Sequence, residues 1–235
     1  MIELDNLSIG YTSGHHRKVV AEHLCANTDD GTLVCLVGVN GVGKSTLLRT
    51  VGGFQKPIAG RVLAGAAECV QSVEAMTQRE RSRLIGVVLT ERSDLSRLSV
   101  FDIVGFGRMP FTGLLGTLTD SDNIAVREAI SLVGIDDLSE RDIDTLSDGE
   151  RQKVMIAKAL AQQTPVIILD EPSAFLDYPS KEELMRLLLR LARDEGKTIL
   201  LSSHDLDIVR RFADSFWIME NVSGVAAIRT EKSLL

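Results

Sequence analysis

One short segment carries the clearest chemistry in this chain. Gly38-Val39-Asn40-Gly41-Val42-Gly43-Lys44-Ser45 fits the pattern GxxxxGK[ST]. Glycines let successive backbone N–H groups turn toward one anion without side-chain clash. Lys44 adds a point charge long enough to reach terminal phosphates, and the Ser45 hydroxyl suits Mg²⁺. A second pair, Asp170-Glu171, ends the apolar run Val166-Ile167-Ile168-Leu169. Asp170 could hold a divalent cation through water. Glu171 could polarise an attacking water, a general-base role typically worth about 10²–10⁴-fold in rate. Alone, that pair would read as the polar end of a strand; the glycine loop gives it meaning. A third segment, Leu146-Ser147-Asp148-Gly149-Glu150-Arg151-Gln152, opens a helical pattern. Ser147 and Gly149 at a helix start form another anion-binding edge, although Ser-Asp-Gly is also an ordinary helix cap.

These groups need elements to hold them. Thr32-Leu33-Val34-Cys35-Leu36-Val37 is a buried-strand pattern that feeds the glycine loop, and residues 44–51 read as the following helix. Residues 84–89, 166–169 and 198–202 are further buried strands. Between Pro179 and Gly196, Leu184, Leu187, Leu188 and Leu191 recur at i, i+3, i+4 and i+7, one face of a helix. Strands alternating with helices predict an α/β fold with a mostly parallel sheet, whose ligands sit at the carboxyl ends of strands. Residues 99–163 differ, with helical patterns at 100–108, 122–133 and 149–163 and no clear strand. They are expected to form a helical lobe, giving a core of 1–91 and 164–235 and a lobe of 92–163.

Bulk properties narrow the classes. The 235 residues suit one large domain, or a core with an inserted lobe. No apolar run approaches the roughly 20 residues that span a bilayer. Met1-Ile2-Glu3-Leu4-Asp5 places acids where a secretory signal places bases, so a cytosolic setting is expected. A net charge of −7 argues against general nucleic-acid binding. Cys25, Cys35 and Cys69 show no CxxC spacing, and Cys35 reads as a small core residue.

Taken together, the segments resemble the ATP-binding cassette (ABC) family over nearly the whole chain. The glycine loop, the signature-like Leu146-Ser147-Asp148-Gly149-Glu150-Arg151-Gln152, the Asp170-Glu171 pair, Ser173-Ala174-Phe175-Leu176-Asp177 and Ser202-Ser203-His204-Asp205 stand in that family's order and spacing. The resemblance implies a P-loop NTPase core with an antiparallel N-terminal β region, an inserted helical lobe, and ATPase activity using ATP and Mg²⁺. Two cassettes of that family meet head to tail around two ATP molecules, so a homodimer is expected. On the same resemblance, Gly38, Val39, Asn40, Gly41, Val42, Gly43, Lys44, Ser45 and Thr46 bind the nucleotide, and Tyr11 stacks on adenine. Ser147 and Gly149 contact the γ-phosphate held by the partner chain, and Asp177 links the two sites. Glu171 is the base, His204 senses or stabilises the γ-phosphate, and Ser45, Asp170 and Glu91 contact the metal. Read in isolation, Tyr11 would be edge packing and His204 a satisfied structural histidine.

Three positions depart from the family pattern. Glu91 stands where glutamine is usual, which keeps metal contact but removes an N–H donor. Asp148 and Glu150 stand where glycine and glutamine are commoner, and Asp148 brings negative charge to an anion-binding edge. Many relatives also continue further beyond the strand-like residues 225–228. The pattern Leu98-Ser99-Val100-Phe101-Asp102-Ile103-Val104-Gly105-Phe106-Gly107-Arg108-Met109-Pro110-Phe111-Thr112 resembles ATPase subunits of importers for iron–siderophores, haem and cobalamin. That implies membrane permease subunits, indirectly a substrate-binding protein, and a peripheral place on the cytoplasmic face of the membrane. The alternative is a DNA-repair or translation-associated ABC ATPase. Against it, the sequence has no long coiled coil, no zinc insertion and no second cassette. A phosphate-loop GTPase would need Asn-Lys-x-Asp, which is absent.

Overall fold

Three runs of the sequence are apolar at almost every position, and each becomes a strand buried on both faces. The computed structural model describes residues 1–13, 16–66, 69–89, 96–113, 116–222 and 224–234. Along the chain run β1 (Ile2–Ser13), β2 (His16–Asn27), β3 (Leu33–Val37), α1 (Lys44–Val51), β4 (Ala59–Ala66), β5 (Cys69–Ser72), α2 (Gln78–Leu84), β6 (Ile85–Val88) and α3 (Val100–Gly105). There follow α4 (Asp120–Leu132), α5 (Asp148–Ala161), β7 (Val166–Leu169), α6 (Tyr178–Arg193), β8 (Thr198–Ser202), α7 (Leu206–Phe212), β9 (Ser215–Val222) and β10 (Val225–Glu231). Every residue of β3, β7 and β8 is buried, as central strands covered by helices require.

Among the described residues ten strands form one sheet, ordered β5-β4-β1-β2-β10-β9-β3-β8-β7-β6. The run from β9 through β3, β8 and β7 to β6 is parallel. β1 pairs antiparallel with β2 and β4, and β4 with β5, which is the expected antiparallel N-terminal region. Side chains alternate across β3: Leu33, Cys35 and Val37 join one apolar cluster, Val34 and Leu36 another. The first cluster also takes in Val100, Ile103, Val126 and Val154, so the helices of the 100–161 stretch share their core with the sheet. Burial pushes the Cys35 thiol well up, as an inert core residue requires.

Helix starts lie slightly upstream of the apolar periodicity because polar caps set them. Thr77 with Glu80, Ser99 with Asp102, Thr119 with Asp122 and Ser147 with Glu150 each form a capping box. The first of these opens α2, a short helix with no buried residues and hence no apolar stripe in the sequence. The helical reading of 100–108 divides into α3 and a 3₁₀ turn at Phe106–Arg108. That turn packs so closely on α5 that a Cβ on Gly107 would lie 2.2 Å from the Lys158 carbonyl oxygen.

The turn delivers Arg108 into the interior. Its Nε donates to Asp122 Oδ1 at 2.8 Å, and Nη1 donates to the Ala161 carbonyl at 2.7 Å and to Gln163 Oε1 at 2.9 Å. Asp122 also accepts from the Thr119 hydroxyl at 2.7 Å and the Thr119 N–H at 3.0 Å. These bonds, Thr119 first and Arg108 after it, hold the Asp122 carboxyl down at about 2. Asp122→Ala should therefore destabilise the protein by about 3–5 kcal/mol in denaturant unfolding, because it strands a buried guanidinium. A carboxyl depressed in the folded state stabilises above its unfolded value near about 4, and that stability disappears as the pH falls toward about 2. The parent should consequently lose stability across that window more steeply than the variant.

Candidate active site

The site begins where β3 ends. Gly43 is the N-cap of α1 at φ 117, and a Cβ there would lie 2.6 Å from Val20 Cγ1. Gly41 sits at φ 80 with open space around it, so backbone conformation, not crowding, favours glycine. α1 has no side-chain cap and no acid in its first turn, whereas α2 through α5 all begin with a capping box. Its first N–H groups are left facing a cleft of about 630 Å³ bordered by Tyr11, Asn40, Ser45 and Glu171. An uncapped helix start behind a glycine turn is a fit for phosphate oxygens.

Lys44 is buried, with Nζ donating to the Gly38 carbonyl at 2.8 Å and the Val39 carbonyl at 3.4 Å. Glu171 Oε1 lies 3.9 Å from the same Nζ, and Glu171 Oε2 lies 3.5 Å from His204 Nδ1. Tyr11, on β1, shares a 2.8 Å hydrogen bond with the Thr46 hydroxyl and keeps its ring half exposed. Ser45 is exposed at the head of α1, and Asp170 is buried at the end of β7. A hydroxyl and a carboxylate, both hard oxygen donors, suit Mg²⁺ shared with phosphate oxygens.

Ser202, read in the sequence only as the opening of a motif and given no role of its own, ties Asp170 to Glu171. Its hydroxyl donates to Asp170 Oδ1 at 2.7 Å and accepts the Glu171 N–H at 2.8 Å. Glu171 holds φ 47, a left-handed conformation uncommon outside glycine. The Ser202 acceptor fixes that turn. Its sequence signal was present, because it opens Ser202-Ser203-His204-Asp205, but only strand pairing shows what it touches.

Other expected residues lie elsewhere in the single chain. The Ser147 N–H and hydroxyl both donate to Glu150 Oε2, at 2.8 and 2.7 Å, and these bonds lower the Glu150 carboxyl. The acidic departure at 150 is thus taken up by the helix start, with Arg141 and Lys153 adding positive potential. A Cβ on Gly149 would meet Ser180 and Leu176, and neither Ser147 nor Gly149 borders the phosphate cleft. Asp177 is exposed as the N-cap of α6, accepting the Ser180 N–H at 3.1 Å. Glu91 lies outside the described residues.

Comparison with known proteins agrees with this geometry. Residues 22–174 match the family described as ABC transporter. The chain is 38% identical over 226 residues to an uncharacterized ABC transporter ATP-binding protein of Methanocaldococcus jannaschii, covering 96% of this chain and 75% of that one. It is 35% identical over 221 residues to the achromobactin transport ATP-binding protein of Dickeya dadantii, covering 94% and 79%. Its fold matches the dimeric post-hydrolysis structure of the ATP-binding cassette MJ0796 bound to ADP and Pi, with a TM-score of 0.79 at 26% identity over 99% and 98% of the two chains. The chain belongs to the ABC transporter family, as one of its ATP-binding, ATP-hydrolysing cassettes.

Proposed function

We propose that this cassette is the ATPase subunit of an importer that takes up an iron chelate, a siderophore or haem, with cobalamin as the second choice of cargo. It works as a homodimer with ATP at the interface, on the cytoplasmic face of the membrane. Permease subunits bind it directly, and a substrate-binding protein acts through them. The observation that carries the shared site is the separation within one chain of two anion-binding edges: the glycine loop borders the cleft and Ser147 and Gly149 do not. The relative named for achromobactin transport supports the cargo class.

In this reading the N–H groups of residues 40–46 and the Lys44 ammonium hold the ATP phosphates, once Lys44 leaves the Gly38 carbonyl. Tyr11 stacks on adenine, and its bond to Thr46 ties the ring to α1. Ser45, Asp170 and Glu91 hold Mg²⁺, which would neutralise charge on the phosphate oxygens. Glu171 orients a water and takes its proton. His204, in contact with Glu171, keeps that carboxylate aimed and faces the γ-phosphate. Ser147 and Gly149 reach the γ-phosphate of the partner's ATP, and Asp177 links the two sites. ATP thereby favours the closed pair, since each γ-phosphate gains donors from both chains. Residues 1–91 and 164–235 act as the nucleotide core and 92–163 as the lobe.

The lobe offers a place for the permease. Phe106 and Met109 are exposed on the turn after α3. Arg79 and Arg83 both donate to the Pro110 carbonyl, at 3.1 and 3.3 Å, and the Phe111 ring lies under Arg83 and Arg108. Those contacts tie the turn to α2 and so to β6 of the core.

Two measurements test this reading. Glu171→Gln should keep ATP affinity, lose at least about a hundredfold in turnover, and accumulate as a dimer with ATP in gel filtration. Full turnover by that variant would remove Glu171 from the role of base. Specific ATPase activity of the parent should rise with protein concentration, and a rate per chain unchanged in strictly monomeric protein would defeat the shared site.

A further inference from the structure

Backbone pairing between β7 and β8 runs from Val166 and Thr198 to Leu169 and Leu201, and stops there. The next residue on each strand is Asp170 on one side and Ser202 on the other. Their backbones turn to the outer neighbours instead. The Asp170 N–H donates to the Val88 carbonyl at 2.9 Å, and the Ser203 N–H donates to the Leu36 carbonyl at 3.1 Å. The Ser202 side chain continues the seam that the two backbones leave. Its Oγ accepts the Glu171 N–H at 2.8 Å, as a carbonyl of a longer strand would, and its O–H donates to Asp170 Oδ1 at 2.7 Å.

Elementary donor rules fix the direction of that hydroxyl. A backbone N–H can only donate, and a serine hydroxyl has one proton to give. With Glu171 donating to Oγ, the proton is left for the Asp170 carboxylate. Ser202 is fully buried and does not border the phosphate cleft, so it acts only through its two neighbours. One of those neighbours is held in an unusual state. Glu171 keeps φ 47, with its carboxylate 3.9 Å from Lys44 Nζ and 3.5 Å from His204 Nδ1. A residue other than glycine keeps such a backbone only where its surroundings over-determine it, and the bond to Ser202 is one such restraint.

We infer that Ser202 is a positioning residue that couples the metal site to the base. One oxygen atom fixes Asp170 and holds Glu171 in the turn that aims its carboxylate. A displacement of Asp170 is therefore felt at the Glu171 N–H. Once Asp170 is settled against Mg²⁺, the hydroxyl is settled with it and so is the turn at 171. Alignment of the base thereby follows occupancy of the metal site. The inference rests on the reading of Asp170 as a Mg²⁺ ligand and Glu171 as the base.

Three variants and two readouts test it. Ser202→Ala removes both bonds, and Ser202→Cys keeps the size with a thiol that donates and accepts weakly. Both should lower kcat at saturating Mg²⁺ and ATP by at least about tenfold, with KM for ATP within about twofold of the parent. Ser202→Thr keeps the hydroxyl and should restore most of the rate. Thermal unfolding confirms that each variant is folded. The second readout needs no turnover. In the Glu171→Gln background, which leaves the backbone N–H in place, calorimetry with Mg²⁺ or with EDTA gives the factor by which Mg²⁺ tightens ATP binding. Ser202→Ala should cut that factor by at least about threefold and leave the affinity in EDTA unchanged. If Glu171→Gln turns over ATP as fast as the parent, the base reading falls and this inference falls with it. If Glu171→Gln is inactive but Ser202→Ala and Ser202→Cys keep the parent's kcat or its Mg²⁺ factor, Ser202 only ends a strand and the base stands. A folded Ser202→Thr as slow as Ser202→Ala would overturn the inference equally.

Discussion

Parallel pairing of β8 between β3 and β7 is the constraint on which the site depends. The register sets Leu36 opposite Ser202 and Leu169 opposite Leu201, so three strands end at one edge. From those ends the chain launches the glycine loop, the Asp170-Glu171 pair and His204. Ser202 closes the arrangement, since one hydroxyl serves both the Asp170 carboxylate and the Glu171 N–H. A slip of one residue in β8 would turn that hydroxyl to the other face and leave both groups without it.

Electrostatics divide the helix starts into two kinds. α1 begins on a glycine with no side-chain cap, which leaves its positive end available to an anion. α5 begins on Ser147 and is satisfied by Glu150 within the same chain. In the proposed dimer, an anion arriving at α5 from a partner would compete with that carboxylate.

The helices between 100 and 161 are joined to the core in two ways. Apolar residues of α3, α4 and α5 share a cluster with β3 and β7. Arg108, at the turn after α3, reaches Asp122 of α4 and the carbonyl of Ala161 at the end of α5. A buried cation bonded to both α4 and the end of α5 resists independent movement of those elements. In the proposed complex, force applied at Phe106 or Met109 would reach α5, the helix capped by Ser147.

Much of the chemistry was legible in the sequence because it resides in short contiguous motifs. The glycine loop, the strand ending at Asp170-Glu171 and the helix after Ser147 are local, and spacing alone specifies which groups each can present. The central strands were equally plain, since burial on both faces writes continuous apolar runs such as Val166–Leu169. Sequence periodicity did not reveal α2, which buries no residue, nor the division of 100–108 into a helix and a turn. Only tertiary structure decided that Ser202 links the Asp170 carboxylate to the Glu171 N–H and that Phe175 is held outward on a left-handed turn. Each of those depends on contacts or backbone angles set by the packing of distant strands and helices. Residue type fixes what a group can donate or accept, and the fold fixes which partner it meets.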